Sequence, residues 1–283
     1  MATFTNQATL RYNGNVVNSN ITTGELVEVL SATKTAVIDN YAQGSDVTYV
    51  IQIVNSGNIA FIGLSVTDNL GEYPFGTGTL VPLDYVDGSA RYYVNGVLQA
   101  APAAVAGPPL VISGINVPAN GVATVIYVAR TNQFAPLGTA ESIVNTAVID
   151  GGGITSITVT ETIAPESGAR LSITKSICPA TVTENGTLTY TFTILNIGNM
   201  AAVATDDVTV SDTFNPILSD LVVALDGTTW SSPANYTYDE TTGEFATVPG
   251  QIVVPAATYT QDVATGEWII DPGVAVLTVT GTV

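Results

Sequence analysis

The chain contains no histidine, which removes the commonest metal ligand and the usual proton shuttle at neutral pH. A nucleophile activated by an imidazole is therefore out of reach, and the chain reads as a non-enzyme. Cysteine occurs once, as Cys178, so no disulfide closes within the chain. Its expected place is the core, as a small apolar side chain. Lysine and arginine number six against 24 acidic residues, giving a formal net charge of −18. Such a surface repels phosphate backbones and anionic lipid, which argues against nucleic acid or a membrane surface as partner. No apolar run is long enough to span a bilayer, and no stretch carries the period of an amphipathic helix. The first cationic side chain is Arg11 and no apolar segment precedes it, so no export leader is legible. Asp206, Asp207 and Asp212 lack the glycine–aspartate spacing of a calcium loop and read as a solvated edge. No metal or other cofactor is expected.

What is present is strand material. Segments rich in Val, Ile, Thr and Tyr are punctuated by Gly and Pro, and the length suits two domains. The pattern predicts an all-β protein of short strands, a sandwich. An internal repeat then fixes the division. Ala32-Thr33-Lys34-Thr35 matches Ile173-Thr174-Lys175-Ser176, and residues 46–58 match 187–199, each through a Thr-Tyr strand ending in Asn-x-Gly-Asn. Ser65-Val66-Thr67-Asp68 matches Thr209-Val210-Ser211-Asp212, and 121–128 matches 273–280.

These residues resemble the conserved bacterial cell-surface repeat, a domain of unknown function strung in tandem in long envelope proteins. The shared pattern is the first-strand Thr-Lys, the Thr-Tyr strand with Asn-x-Gly, the Val-Thr-Asp strand and a late Asn-x-Ala strand. The resemblance implies immunoglobulin-like sandwiches of pilin or adhesin type and a structural or adhesive surface role.

The copies differ in one piece. Residues 143–149, a Gly151-Gly152-Gly153 turn and residues 154–163 read as the closing hairpin of the first copy; the second copy reaches Val283 without one. Residues 4–22 supply the same pattern around an Asn13-Gly14 turn, with Phe4, Ala8 and Leu10 on one face at period two. The expected organisation is a donor hairpin over 1–29, a complete sandwich over 30–166 and an incomplete, accepting sandwich over 167–283. From Asn145 to Lys175 is thirty positions and from Asn6 to Lys34 twenty-eight, so the two joints would be nearly equivalent. Ile21 to Leu30 spans about 30 Å fully extended, too little for the hairpin to reach back past the first domain. The bland alternative makes residues 1–22 one more strand of the first domain.

Only two lysines exist, Lys34 and Lys175, at one repeat position. Each copy also carries an aspartate, Asp68 or Asp212, and is served by an asparagine, Asn145 for the first and Asn6 of a donor for the second. Lys, Asn and an acid are similar, in residue type and strand order, to the makings of the spontaneous isopeptide bond of Gram-positive pilins and adhesins. In a dry core the neutral amine attacks the carboxamide carbon, the acid polarises its oxygen, and ammonia leaves. Lys34–Asn145 with Asp68 would lock one domain; Lys175–Asn6 with Asp212 would weld one subunit to the next. The structural alternative is a buried Lys–Asp ion pair in each copy.

The expected function is thus a subunit of an extracellular pilus-like or spore-appendage filament, a homopolymer assembled head-to-tail by donor-strand complementation on a cell or spore surface. The competing reading is a non-polymeric adhesion or carbohydrate-binding module. It would use Trp230, Trp268 and the Tyr92-Tyr93 pair, which otherwise serve cross-strand packing.

Overall fold

A computed structural model of the chain describes residues 2–26 and 29–283. Strands and turns account for nearly all of the regular backbone; the helical exception among the described residues is a single 3-10 turn, Ala204–Asp206. No described helix is long and apolar enough to cross a membrane. The chain divides into two compact units. The first takes the chain through Asp39 together with Ser45–Thr131 and Val144–Thr162; the second takes Asn40–Gly44, Asn132–Ile143 and Ile163–Val283.

In the first unit, one sheet runs in the order Val97–Leu98, Arg91–Val94, Gly121–Thr131, Asp46–Asn55, Leu30–Ala36. The facing sheet holds Ala103–Val105, Leu110–Val117, Phe61–Asp68, Ile143–Asp150 and Ile157–Pro165 in that order. Alternation decides which side chains meet between the sheets. Val47, Tyr49, Ile51 and Ile53 are buried while the residues between them face outward, and Gly121–Thr131, the adjacent strand of the same sheet, repeats that pattern. The closing pair is the expected hairpin, although its second strand begins at Ile157. Gly151, Gly152 and Gly153 all adopt positive φ, so the turn is longer than its sequence suggests.

The second unit builds the same first sheet from Leu171–Cys178, Thr187–Asn196, Gly273–Thr282, Ser219–Leu225 and Thr228–Trp230. Its facing sheet is smaller, with Ser211–Thr213, Glu244–Thr247 and Tyr236–Tyr238 in order. Between the layers Phe192, Phe214, Val223, Phe245, Ile252 and Leu277 form the core. The Phe214 ring stacks on Tyr190 at 5.0 Å and meets Phe245 at 5.6 Å.

The Asn-x-Gly motif that marks the repeat is structural in both units. Asn55 donates Nδ2 to the carbonyls of Ile59 and Pro118 and accepts from Gly57 N; Asn196 does the same with Met200, Pro255 and Gly198. A side chain at Gly198 would lie 2.1 Å from the Gly168 carbonyl oxygen, which explains the glycine without any functional role.

Residues 2–26 form a separate hairpin. Ala2–Asn6 pairs with Thr22–Leu26, and Thr9–Tyr12 with Asn15–Asn18 around the left-handed Asn13 and Gly14. Neither pair continues into another sheet, and Phe4 through Thr23 are exposed throughout. Among the described residues, 2–22 pair with no strand of the first unit's two sheets.

One expectation is corrected. Cys178 is exposed, as is every residue of its strand Leu171–Cys178.

Candidate functional site: a buried lysine, an open edge and an unpaired hairpin

The first unit brings three of the expected residues together. Lys34 projects inward from Leu30–Ala36, and its Nζ donates to Asp68 Oδ2 at 2.6 Å and to the Asn145 main-chain oxygen at 3.0 Å. The side chains of Lys34 and Asp68 are fully buried. Asp68 Oδ1 accepts from Leu70 N, and Oδ2 also accepts a short bond from the Tyr127 hydroxyl. Asn145 is buried, donates Nδ2 to Tyr127 Oη at 3.5 Å, and leaves Oδ1 with no partner among the described residues.

Burial pushes the Lys34 ammonium down to about 8, against the opposing pull of the Asp68 carboxylate and of Glu161. Burial also raises the Tyr127 phenol, helped by the Asp68 charge, so that it stays a donor at physiological pH. A primary amine, an acid and an unpartnered carboxamide oxygen thus share one dry pocket. That is the inventory for amide exchange, although the Nζ contact with Asn145 runs to its backbone and not to its side-chain carbon.

The second unit repeats the pair without the enclosure. Lys175 Nζ makes a short ion pair with Asp212 and lies 4.2 Å from the Tyr190 ring centroid. Here 39% of the lysine side chain is exposed. The position matching Tyr127 in the repeat is Val279, opposite Tyr190 in the sheet, so no phenol reaches Asp212 from there.

The cause of the exposure is an open edge. In the first unit Phe61–Asp68 pairs on both sides, with Leu110–Val117 and with Ile143–Asp150. In the second, Ser211–Thr213 pairs with Glu244–Thr247 on one side only; along its other edge no strand runs among the described residues. Beside that edge Leu171, Ile173, Ile194, Val208 and Val210 line a cleft of about 170 Å³. Unpaired N–H and C=O groups next to an apolar cleft invite a further strand.

The N-terminal hairpin carries a matching pattern, spread over Ala2–Asn6, the link Gln7-Ala8 and Thr9–Tyr12. In the first unit Ile143, Asn145, Ala147 and Ile149 are the buried face of the closing strand. Phe4, Asn6, Ala8 and Leu10 repeat that spacing, and all four are exposed, Phe4 by 60% and Leu10 by 62%. The structure therefore unites Lys34, Asp68 and Asn145 in one place and Lys175 with Asp212 in another, and leaves Asn6 on the free hairpin.

The sequence reading missed Tyr127 and Glu161. An inward tyrosine opposite Tyr49 was the available signal, since a buried phenol demands a polar partner. The contrast between the two ion pairs has a measurable consequence. Asp68→Ala leaves a buried amine unpaired and lowers the stability of the first unit by about 3–5 kcal/mol. Asp212→Ala costs the isolated chain no more than about 1 kcal/mol, because its pair is half in water. Urea denaturation of the two variants, each compared with the parent, measures both.

No family model and no curated protein matches this chain. Among solved structures it is similar to a variant of BcpA, the major pilin subunit of Bacillus cereus, at 11% identity over 96% of this chain and 73% of that one, with a TM-score of 0.38. It is similar to RrgB, the pilus backbone of Streptococcus pneumoniae, at 13% identity over 86% of this chain and 55% of that one (TM-score 0.35). A collagen-binding domain from a Staphylococcus aureus adhesin matches 49% of this chain over 99% of its own length, at 9% identity and a TM-score of 0.31. The chain spans about half the length of the RrgB structure. The likeness is one of fold.

Proposed function

We propose that this chain is the subunit of an extracellular filament, in which the hairpin 2–26 of one copy fills the open edge of the second unit of the next. One observation carries the reading: the spacing buried as Ile143, Asn145, Ala147 and Ile149 recurs, exposed, as Phe4, Asn6, Ala8 and Leu10. The added strand satisfies the edge by backbone pairing and fills the cleft with alternate side chains. Because hairpin and edge are different surfaces, the contact is heterologous and propagates instead of closing on a two-fold axis. On this reading residues 1–29 are the donor, 30–166 a complete sandwich and 167–283 the acceptor.

Covalent bonds complete the proposal. In the first unit Lys34 attacks the Asn145 carboxamide with Asp68 as acid. At the subunit junction Lys175 attacks Asn6 of the incoming copy with Asp212 in that role. The C–N bond to lysine forms as the carboxamide C–N bond breaks, and the amine proton departs with ammonia. Docking would bury Lys175 and bring Asn6 of the incoming copy beside it. The cell or spore surface is the setting proposed for such a fibre.

The test is negative-stain microscopy with gel electrophoresis after boiling in SDS. The full chain should give filaments and a ladder of multiples, and a chain lacking residues 1–22 should give monomers only. Filaments from the shortened chain would refute the assignment.

A further inference from the structure

The chain holds two closing hairpins of one pattern, so something must match each to its groove. Resting on the docking proposed above, the register of the first unit carries over to the junction. There Ala147 stands opposite Asp68, Ile149 opposite Val66 and Asp150 opposite Ser65. Replacing Asn145 by Asn6 and Asp68 by Asp212 sets Ala8 opposite Asp212, Leu10 opposite Val210 and Arg11 opposite Thr209. Arg11 thus takes the place of Asp150, and the receiving segment is preceded by the 3-10 turn Ala204–Asp206, where Asp206 and Asp207 are both exposed and Asp206 Oδ2 accepts from Val203 N. The matching positions in the first unit, Ile62 and Gly63, are uncharged.

The charges are therefore exchanged between the two hairpin–groove pairs. The internal hairpin presents an acid, Asp150, whose carboxylate accepts from Ser65 Oγ at 2.5 Å. The N-terminal hairpin presents a cation and has no acidic residue before Glu25. From residue 167 onward the second unit holds twelve acidic residues against Arg170 and Lys175, a formal charge of −10. Asp150 placed in that groove would stand opposite Thr209 with the acidic turn of Asp206 and Asp207 next along the chain, adding like charge; Arg11 in the same place brings the opposite charge.

We infer that Arg11 with Asp206 and Asp207 is the specificity device of the junction, selecting the N-terminal hairpin of a second copy over the internal hairpin of any copy. Like charges brought together at a contact exclude the wrong partner, and unlike charges raise the encounter rate of the right one. Exposed pairs add little to affinity, so the effect belongs to rate and selection. It fades as salt shortens the Debye length from about 30 Å at 0.01 M toward 3 Å at 1 M.

Filament elongation followed by light scattering tests this in the full chain. At 20 mM salt Arg11→Asp should slow elongation about tenfold or more. Combining it with Asp206→Lys and Asp207→Lys should restore most of the rate, and 0.5 M salt should erase the differences. Because Arg11 is exposed on the free hairpin, thermal unfolding of the unassembled variant should match the parent. Elongation of Arg11→Asp at the parent rate in low salt, or no rescue by the triple variant, overturns the inference while leaving docking in place. Growth of a chain lacking residues 1–22, run alongside, overturns docking itself and the inference with it.

Discussion

Leu10→Asp should abolish filament growth while both units stay folded. Leu10 is 62% exposed in the free chain, so the substitution leaves the isolated molecule nearly untouched. At the proposed junction the same side chain would enter the cleft that Ile173, Ile194 and Val210 line. Losing a buried leucine there forfeits about 2–3 kcal/mol, and burying a carboxylate without a partner adds at least about 2 kcal/mol more. A tenfold change in affinity corresponds to about 1.4 kcal/mol, so junction affinity falls at least about a thousandfold. Leu10→Ala should lose roughly 30- to 100-fold by the first effect alone. Thr9→Asp is the internal control. Successive strand residues point to opposite faces, so position 9 looks away from the cleft and its change should cost less than about tenfold. Sedimentation of filaments against subunit concentration gives all three critical concentrations. Equal losses at positions 9 and 10 would show that the hairpin does not dock as a strand.

The second large effect concerns the covalent lock proposed for the first unit. Each bond removes one ammonia, so intact mass should fall about 17 Da below the sequence mass for every bond formed. Lys34→Met should restore the mass for that site. A cross-link between positions separated by 111 residues contributes about 4–5 kcal/mol by loop-closure entropy. For a unit of this size its loss should lower the unfolding midpoint by roughly 15 °C. Calorimetry beside mass spectrometry decides whether the ion pair alone accounts for the stability. A parent at full sequence mass, with a midpoint close to that of Lys34→Met, would remove the lock.

The pH dependence of that reaction has a definite sign. Lys34 is lowered to about 8, so the Lys34–Asp68 pair keeps one proton below that pH and loses it above. The reactive arrangement, a neutral amine beside a protonated carboxyl, has the same proton count as the ion pair. Bond formation on refolding should therefore be flat from about pH 6 to 7.5 and fall about tenfold per unit well above 8. A rate that climbs through pH 9 would mean that the carboxyl is not needed as an acid.

Much of this was legible in the sequence, for physical reasons that differ by element. The Asn13-Gly14 hairpin is a local feature, and it reads directly. Lys34 with Asp68, and Lys175 with Asp212, emerged because the repeat aligned two copies of one arrangement. The fully buried first pair and half-exposed second pair were not readable, since exposure depends on which strands lie alongside. Tyr127 was missed because its partner, Asp68, is 59 residues away and joined only by the fold. Cys178 was placed wrongly by a composition rule that assumes a well-covered strand; every residue of its own strand is exposed.

The docking is tested most directly by a cryo-electron microscopy reconstruction of the assembled filament. The expected result is residues 4–10 of one copy as a strand along residues 208–213 of the next, with Ala8 opposite Asp212 and Leu10 facing the cleft beside Val210. Phe4 and Leu10 packed within their own molecule, or an edge at 208–213 left bare along the fibre, would contradict it.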